Sequence, residues 1–130
     1  MNSDKAYHDH EMKRAFAHYK AIQTGSRYEQ EENYKVFVTE SAELIAEKVG
    51  WILDGSYGYG EQQIALNALE QRNPNPSLYH LIASLEWNIG EYYSRKAWKN
   101  TPVDKQKAIN EAITAEIQYY KDGMGGLFQM

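Results

Sequence analysis

Tyr34-Lys-Val-Phe-Val-Thr-Glu-Ser-Ala-Glu-Leu-Ile-Ala-Glu-Lys-Val-Gly-Trp-Ile-Leu53 places Tyr34, Phe37, Val38, Ser41, Leu44, Ile45, Val49 and Ile52 at three- and four-residue steps. That is the period of an α-helix with one apolar face. The spacing predicts one helix from Arg27 to Leu53, roughly 40 Å long at about 1.5 Å per residue. Gly50, inside it, marks a kink or an early end.

The same period recurs on both sides. Met12, Ala15, Phe16, Tyr19 and Ile22 predict a helix over Asp4–Thr24, stopped by Gly25. Ser26 with Glu29 three residues on has the form of a capping box for the next helix. Asp54-Gly-Ser-Tyr-Gly-Tyr-Gly60 reads as a loop, and Ile64, Ala65, Ala68 and Leu69 predict a short helix over Glu61–Arg72. Asn73-Pro-Asn-Pro76 is a break, with Asn75 as cap and Pro76 at the first helical position. Leu78, Leu81, Ile82, Leu85, Ile89 and Tyr92 then predict a helix over Pro76–Lys99. Thr101 as cap, followed by Pro102 and Asp104, opens a last helix to Asp122, before a tail containing Leu127, Phe128 and Met130. With no sustained two-residue alternation, the expectation is an all-α bundle of four longer helices and one short helix. It forms a single domain over residues 1–130 with a flexible tail from about residue 123.

Composition narrows the function. The 130 residues carry 14 Lys+Arg, 18 Asp+Glu and no cysteine, for a net charge of −4. No disulfide, Cys-ligated zinc or thiol nucleophile is available. Mild acidity argues against nonspecific nucleic-acid binding, and no apolar run is long enough to cross a membrane. A polar N-terminus without signal-peptide character adds the expectation of a cytoplasmic, soluble protein.

Catalytic patterns are scarce. In His8-Asp9-His10-Glu11 the two histidines point roughly 200° apart on a helix, so they read as surface or capping residues. The Gly55, Gly58, Gly60 spacing follows a helix, and Glu61 and Gln62 stand where a phosphate loop needs Lys and Ser or Thr. The loop reads as a connection that offers Tyr57 and Tyr59 as contact residues. No catalytic residue is assigned.

On one continuous helix Glu29, Glu40, Glu43 and Glu47 would share the face opposite the apolar stripe. Hard divalent cations take carboxylate oxygens, which makes magnesium the cofactor of an alternative reading. Glu40-Ser-Ala-Glu43-Leu-Ile-Ala-Glu47 resembles the E-x-x-E helix motif of the all-helical MazG-like nucleoside triphosphate pyrophosphohydrolases. The resemblance implies a magnesium-dependent pyrophosphohydrolase using Glu40, Glu43 and Glu47. That family adds an E-x-x-D pair on a later helix. Around Ile82–Glu86 this chain has Leu81 and Ser84 at those positions, and it contains no E-x-x-D.

Aromatic content supplies the main reading. Eleven tyrosines and three tryptophans exceed what the apolar stripes use. Tyr34, Tyr92 and Tyr120 fall on those stripes, whereas Tyr28, Tyr57, Tyr59, Tyr93, Trp98 and Tyr119 fall off them. Such side chains are enriched at binding surfaces because an apolar body ends in a hydrogen-bonding tip. Six glutamates lie between Glu29 and Glu47, while Arg95, Lys96, Lys99, Lys105 and Lys107 gather around the corner between the fourth and fifth predicted helices. The expectation is a non-enzymatic interaction module, self-associating or binding a protein partner, through Tyr93, Lys96, Trp98 and Lys99 with Tyr57 and Tyr59.

Overall fold

The helix is interrupted around Ser41 although its apolar spacing continues, and the interruption sets the arrangement of the helices. The computed structural model describes residues 2–23 and 26–124, and among these it forms seven α-helices and no strand. They are α1 (Asn2–Gln23), α2 (Arg27–Phe37), α3 (Ala42–Leu53), α4 (Tyr59–Ala68), α5 (Asn75–Trp87), α6 (Glu91–Lys99) and α7 (Val103–Tyr119). A π-helical turn, Tyr120–Met124, continues α7. The fold is all-α, as expected, with two of the longer predicted helices each divided in two. The tail residues Leu127, Phe128 and Met130 lie outside the described residues.

The expected Arg27–Leu53 helix is α2 followed by α3. Hydroxyl side chains compete with helical backbone bonding between them. Thr39 Oγ1 donates to the Val36 carbonyl at 2.6 Å, and Ser41, in extended conformation, accepts from the Leu44 N–H at 3.1 Å. Ser41 is thus the N-cap of a new helix rather than a member of the stripe. Gly50 does not end α3, which continues to Leu53.

The expected Pro76–Lys99 helix is α5 followed by α6. Asn88 adopts the left-handed conformation (φ 56°, ψ 42°), one of the few side chains that do so readily, and it closes α5. Ile89 is fully buried in the connection, and Gly90 begins α6. The Gly90 N–H, an orphan donor at that helix start, is taken by Gln30 Oε1 of α2 at 2.8 Å.

Two predicted caps act differently. Asn75 does not cap α5; its buried side chain donates to the Asn110 carbonyl at 3.0 Å and to Thr114 Oγ1 at 2.8 Å, tying α5 to α7. Thr101 donates back to the Ala97 carbonyl at 2.6 Å instead of capping α7. At Ser26 the serine arm of the capping box is present, accepting from the Glu29 N–H at 3.4 Å.

The core is built on α3 and α5. Ile45, Val49, Ile52 and Leu53 of α3 meet Leu78, Ile82 and Ala83 of α5, with Ile109, Ile113 and Ile117 of α7 closing one side. Phe37 of α2 packs on Tyr79 and Trp87, with ring centroids 5.2 and 4.9 Å away. Helix α1 lies along α4, where Gly60 lets the backbones approach: a Cβ there would collide with the Glu11 carbonyl.

Candidate functional site

Separating α6 from α5 resets the helical phase, and the reset rearranges the predicted aromatic corner. Tyr93, read as an off-stripe contact residue, is 6% exposed and belongs to the core, whereas Tyr92, read as a core residue, is 69% exposed. Continuing the stripe through Asn88-Ile89-Gly90 is what exchanged the two. Ile89 holds its core position through the connection, so the apolar pattern carried no mark of the break.

The exposed side of α6 carries Tyr92, Lys96 and Lys99 at four- and three-residue steps, which places them on one face. Lys96 is held in place. Its ammonium sits 5.1 Å from the ring centroid of Tyr34 on α2 and 5.8 Å from that of Tyr93, within cation–π range. The Tyr34 hydroxyl accepts from Asn100 Nδ2 at 3.0 Å, fixing the ring that Lys96 covers. Tyr92 meets Tyr93 edge-on at 5.1 Å. The structure therefore brings Tyr93, Lys96 and Lys99 to one corner, and adds Tyr34 and Tyr92, which sequence reasoning had assigned to the interior.

Trp98 packs inward. It stands edge-on to the buried Tyr79 at 5.0 Å, sealing the core beneath α6. Of the other basic residues, Arg95 pairs with Glu91 on its own helix, and Lys105 Nζ donates to the Val38 carbonyl at 2.8 Å. Lys99 and Lys107 are exposed and form no ion pair among the described residues.

Tyr57 and Tyr59 do not join this corner. The Tyr57 hydroxyl donates to Glu86 Oε2 at 2.6 Å, and Lys48 pairs with Glu86 Oε1 at 2.8 Å. Burial first, then the hydrogen bond to Glu86, raise the Tyr57 phenol well above its ordinary value. Burial pushes Glu86 upward, but the hydrogen bonds from Lys48 and Tyr57 outweigh it and leave the carboxyl below its ordinary value. This chain of contacts links α3, the following loop and α5. Tyr59 faces α1, its hydroxyl 3.0 Å from His8 Nδ1 and its ring stacked obliquely on Tyr7.

The magnesium alternative loses its geometry with the long helix. Glu40 lies in the bend before α3, off any helix, whereas Glu43 and Glu47 are exposed on α3. Among the described residues no group of three or more His, Asp or Glu side chains is placed to hold a metal ion. Glu29, on α2, is likewise removed from the face it was expected to share. Glu61, which argued against a phosphate loop, is a buried ion-pair partner of Arg14.

No family model, curated protein sequence or solved structure matches the chain.

Proposed function

We propose that this chain is a non-enzymatic helical interaction module, working through self-association or a protein partner at the exposed face of α6. One observation carries the reading: the Lys96 ammonium lies within cation–π range of both Tyr34 and Tyr93 while Tyr92 projects beside it. An ordered cation flanked by an exposed tyrosine presents apolar area, hydrogen-bonding capacity and charge with little conformational entropy left to lose on binding. Tyrosine is among the residue types that dominate binding energy at interfaces.

The fitting partner surface is acidic with apolar relief. The chain itself carries exposed carboxylates, Glu29 and Glu31 on α2 and, apart from them, Glu43 and Glu47 on α3, and this complementary charge favours self-association. The setting we propose is cytoplasmic, where a fold without cysteine loses nothing to a reducing medium.

The test is molar mass by light scattering across protein concentration, for the wild type and for Tyr92→Ala and Lys99→Glu. A mass rising above that of the 15.0 kDa monomer, and reduced by both substitutions, supports the reading. A monomer at every concentration rejects self-association.

A further inference from the structure

A half-open cavity of about 500 Å³ lies where α1, α4, α5 and α6 meet, lined on α6 by Glu91 and Arg95 and not by Tyr92, Lys96 or Lys99. Ile64 and Ala68 of α4 and Leu81 of α5 give it apolar walls, and Phe16 of α1 stands at its mouth. The volume falls within the range of small-molecule sites. One imidazole, His80 of α5, lines it.

The hydrogen bond to Ser94 occupies Nδ1 of His80 and leaves Nε2 over. Its Nδ1 lies 2.7 Å from Ser94 Oγ, and Ser94, fully buried, donates its own proton to the Glu91 carbonyl at 3.0 Å. In that arrangement Ser94 Oγ accepts from His80 Nδ1–H, and the lone pair resides on Nε2. Among the described residues no partner satisfies Nε2, and it is not a sealed, unsatisfied atom either. The cavity therefore offers a ligand the His80 ring nitrogen beside the apolar side chains of Ile64, Ala68 and Leu81, on a wall that also carries Asn67, Gln71 and Ser77.

The charged residues nearby do not change this chemistry. Arg95 directs its Nε and Nη2 to Glu91 Oε1, so the pair on that wall is internally neutralised, and Glu91 opposes an anionic ligand. Burial first, then Arg95, lower the His80 pKa, with Glu91 acting the other way; Tyr79, edge-on at 5.4 Å, is the other titratable group against the ring. A neutral imidazole is thereby maintained near neutral pH.

We infer that this cavity binds a small, uncharged molecule with an apolar body and an O–H or N–H donor, which it gives to His80 Nε2. An aromatic alcohol has this chemistry.

β-Naphthol and its methyl ether are suitable probes, being nearly equal in apolar area and differing in the donor. Binding is followed by probe fluorescence and by the His80 ring resonances. β-Naphthol binds about tenfold more tightly than the ether, as expected when a buried acceptor is otherwise left unpaired. His80→Phe removes that preference while retaining the apolar walls. Asn67→Trp, at an exposed position on the mouth, weakens both probes without touching the core, so it reads the site even if the His80 variant does not fold. Equal affinity for the two probes overturns the inference. So does a preference that survives His80→Phe, binding indifferent to Asn67→Trp, or no binding of β-naphthol at about 1 mM.

Discussion

Arg14 Nη2 lies 2.8 Å from both carboxylate oxygens of Glu61, joining α1 to the first turn of α4. The two ends of the pair are unequally placed: the Arg14 side chain is 45% exposed and that of Glu61 only 5%. Removing the arginine therefore leaves a buried carboxylate with its main partner gone. The α4 N-terminus offsets part of the cost through its dipole. Arg14→Met is expected to lower stability by about 1–3 kcal/mol in urea unfolding. A change below about 0.3 kcal/mol would show that α1 is not held by this pair.

Two glycines at close approaches should respond to alanine in opposite ways. At Gly50 a Cβ would meet Glu116 Oε2 at 2.6 Å, the tip of a flexible side chain that can swing away. Burial, and then Glu47, already push the Glu116 carboxyl up, so moving it into water relieves an unfavourable charge. Alanine also favours the helix by about 0.5–1 kcal/mol. Gly50→Ala is thus expected to be neutral or stabilising. At Gly60 the obstacle is the Glu11 backbone, which cannot move without separating α1 from α4. Gly60→Ala should cost about 2 kcal/mol or more. Thermal unfolding of the two variants is the check, and equal effects would contradict the packing of α1 on α4.

His80 gives stability a pH dependence. Burial and Arg95 hold its folded-state pKa below the unfolded value, so the unfolded chain binds more protons as pH falls below about 6.5. The contribution is complete above that value and is lost progressively below it, until the folded-state pKa is passed. Wild-type stability should fall between neutral pH and about pH 5, and His80→Gln should show a shallower slope there. Parallel slopes in denaturant titrations would contradict the part-buried, neutral state of the ring.

Polar side chains that bridge helices should matter more than their type suggests. Asn75→Ala leaves the Thr114 hydroxyl and the Asn110 carbonyl without their α5 donor, and Gln30→Ala leaves the Gly90 N–H unpaired at the start of α6. Each should cost about 1–3 kcal/mol by chemical denaturation. Gln30→Ala should in addition raise amide exchange at Gly90. Retained protection there would show that another acceptor serves that donor.

The apolar period was enough to read the helical class and most of the core: Phe37, Ile45, Val49, Ile52, Leu78, Ile82, Ile109 and Ile113 were all assigned to buried faces and are buried. What it did not disclose was where a helix stops while its stripe continues. Ser41 and Ile89 each kept the spacing across a break, the first by capping a new helix and the second by remaining in the core. The local chemistry was nevertheless present, in Thr39 with Ser41 and in Asn88 with Gly90. The cost fell on the candidate site, because a reset of phase exchanges the inside and outside of α6. The roles of Gln30, Asn75 and His80 depend on partners 60, 35 and 14 residues away, and no local pattern encodes such pairings.

Tyr92 is the most direct point of test for the proposed interaction surface, since it is exposed and supports no core contact beyond the edge of Tyr93. Its replacement should leave the fold intact. Light scattering on the wild type and Tyr92→Ala, at low and high salt over a range of concentrations, decides the matter. The account predicts a wild-type mass that climbs above the monomer with concentration, falls back with salt, and stays lower in the variant at unchanged thermal stability. A wild type that remains monomeric throughout, or a variant that associates equally well, would contradict it.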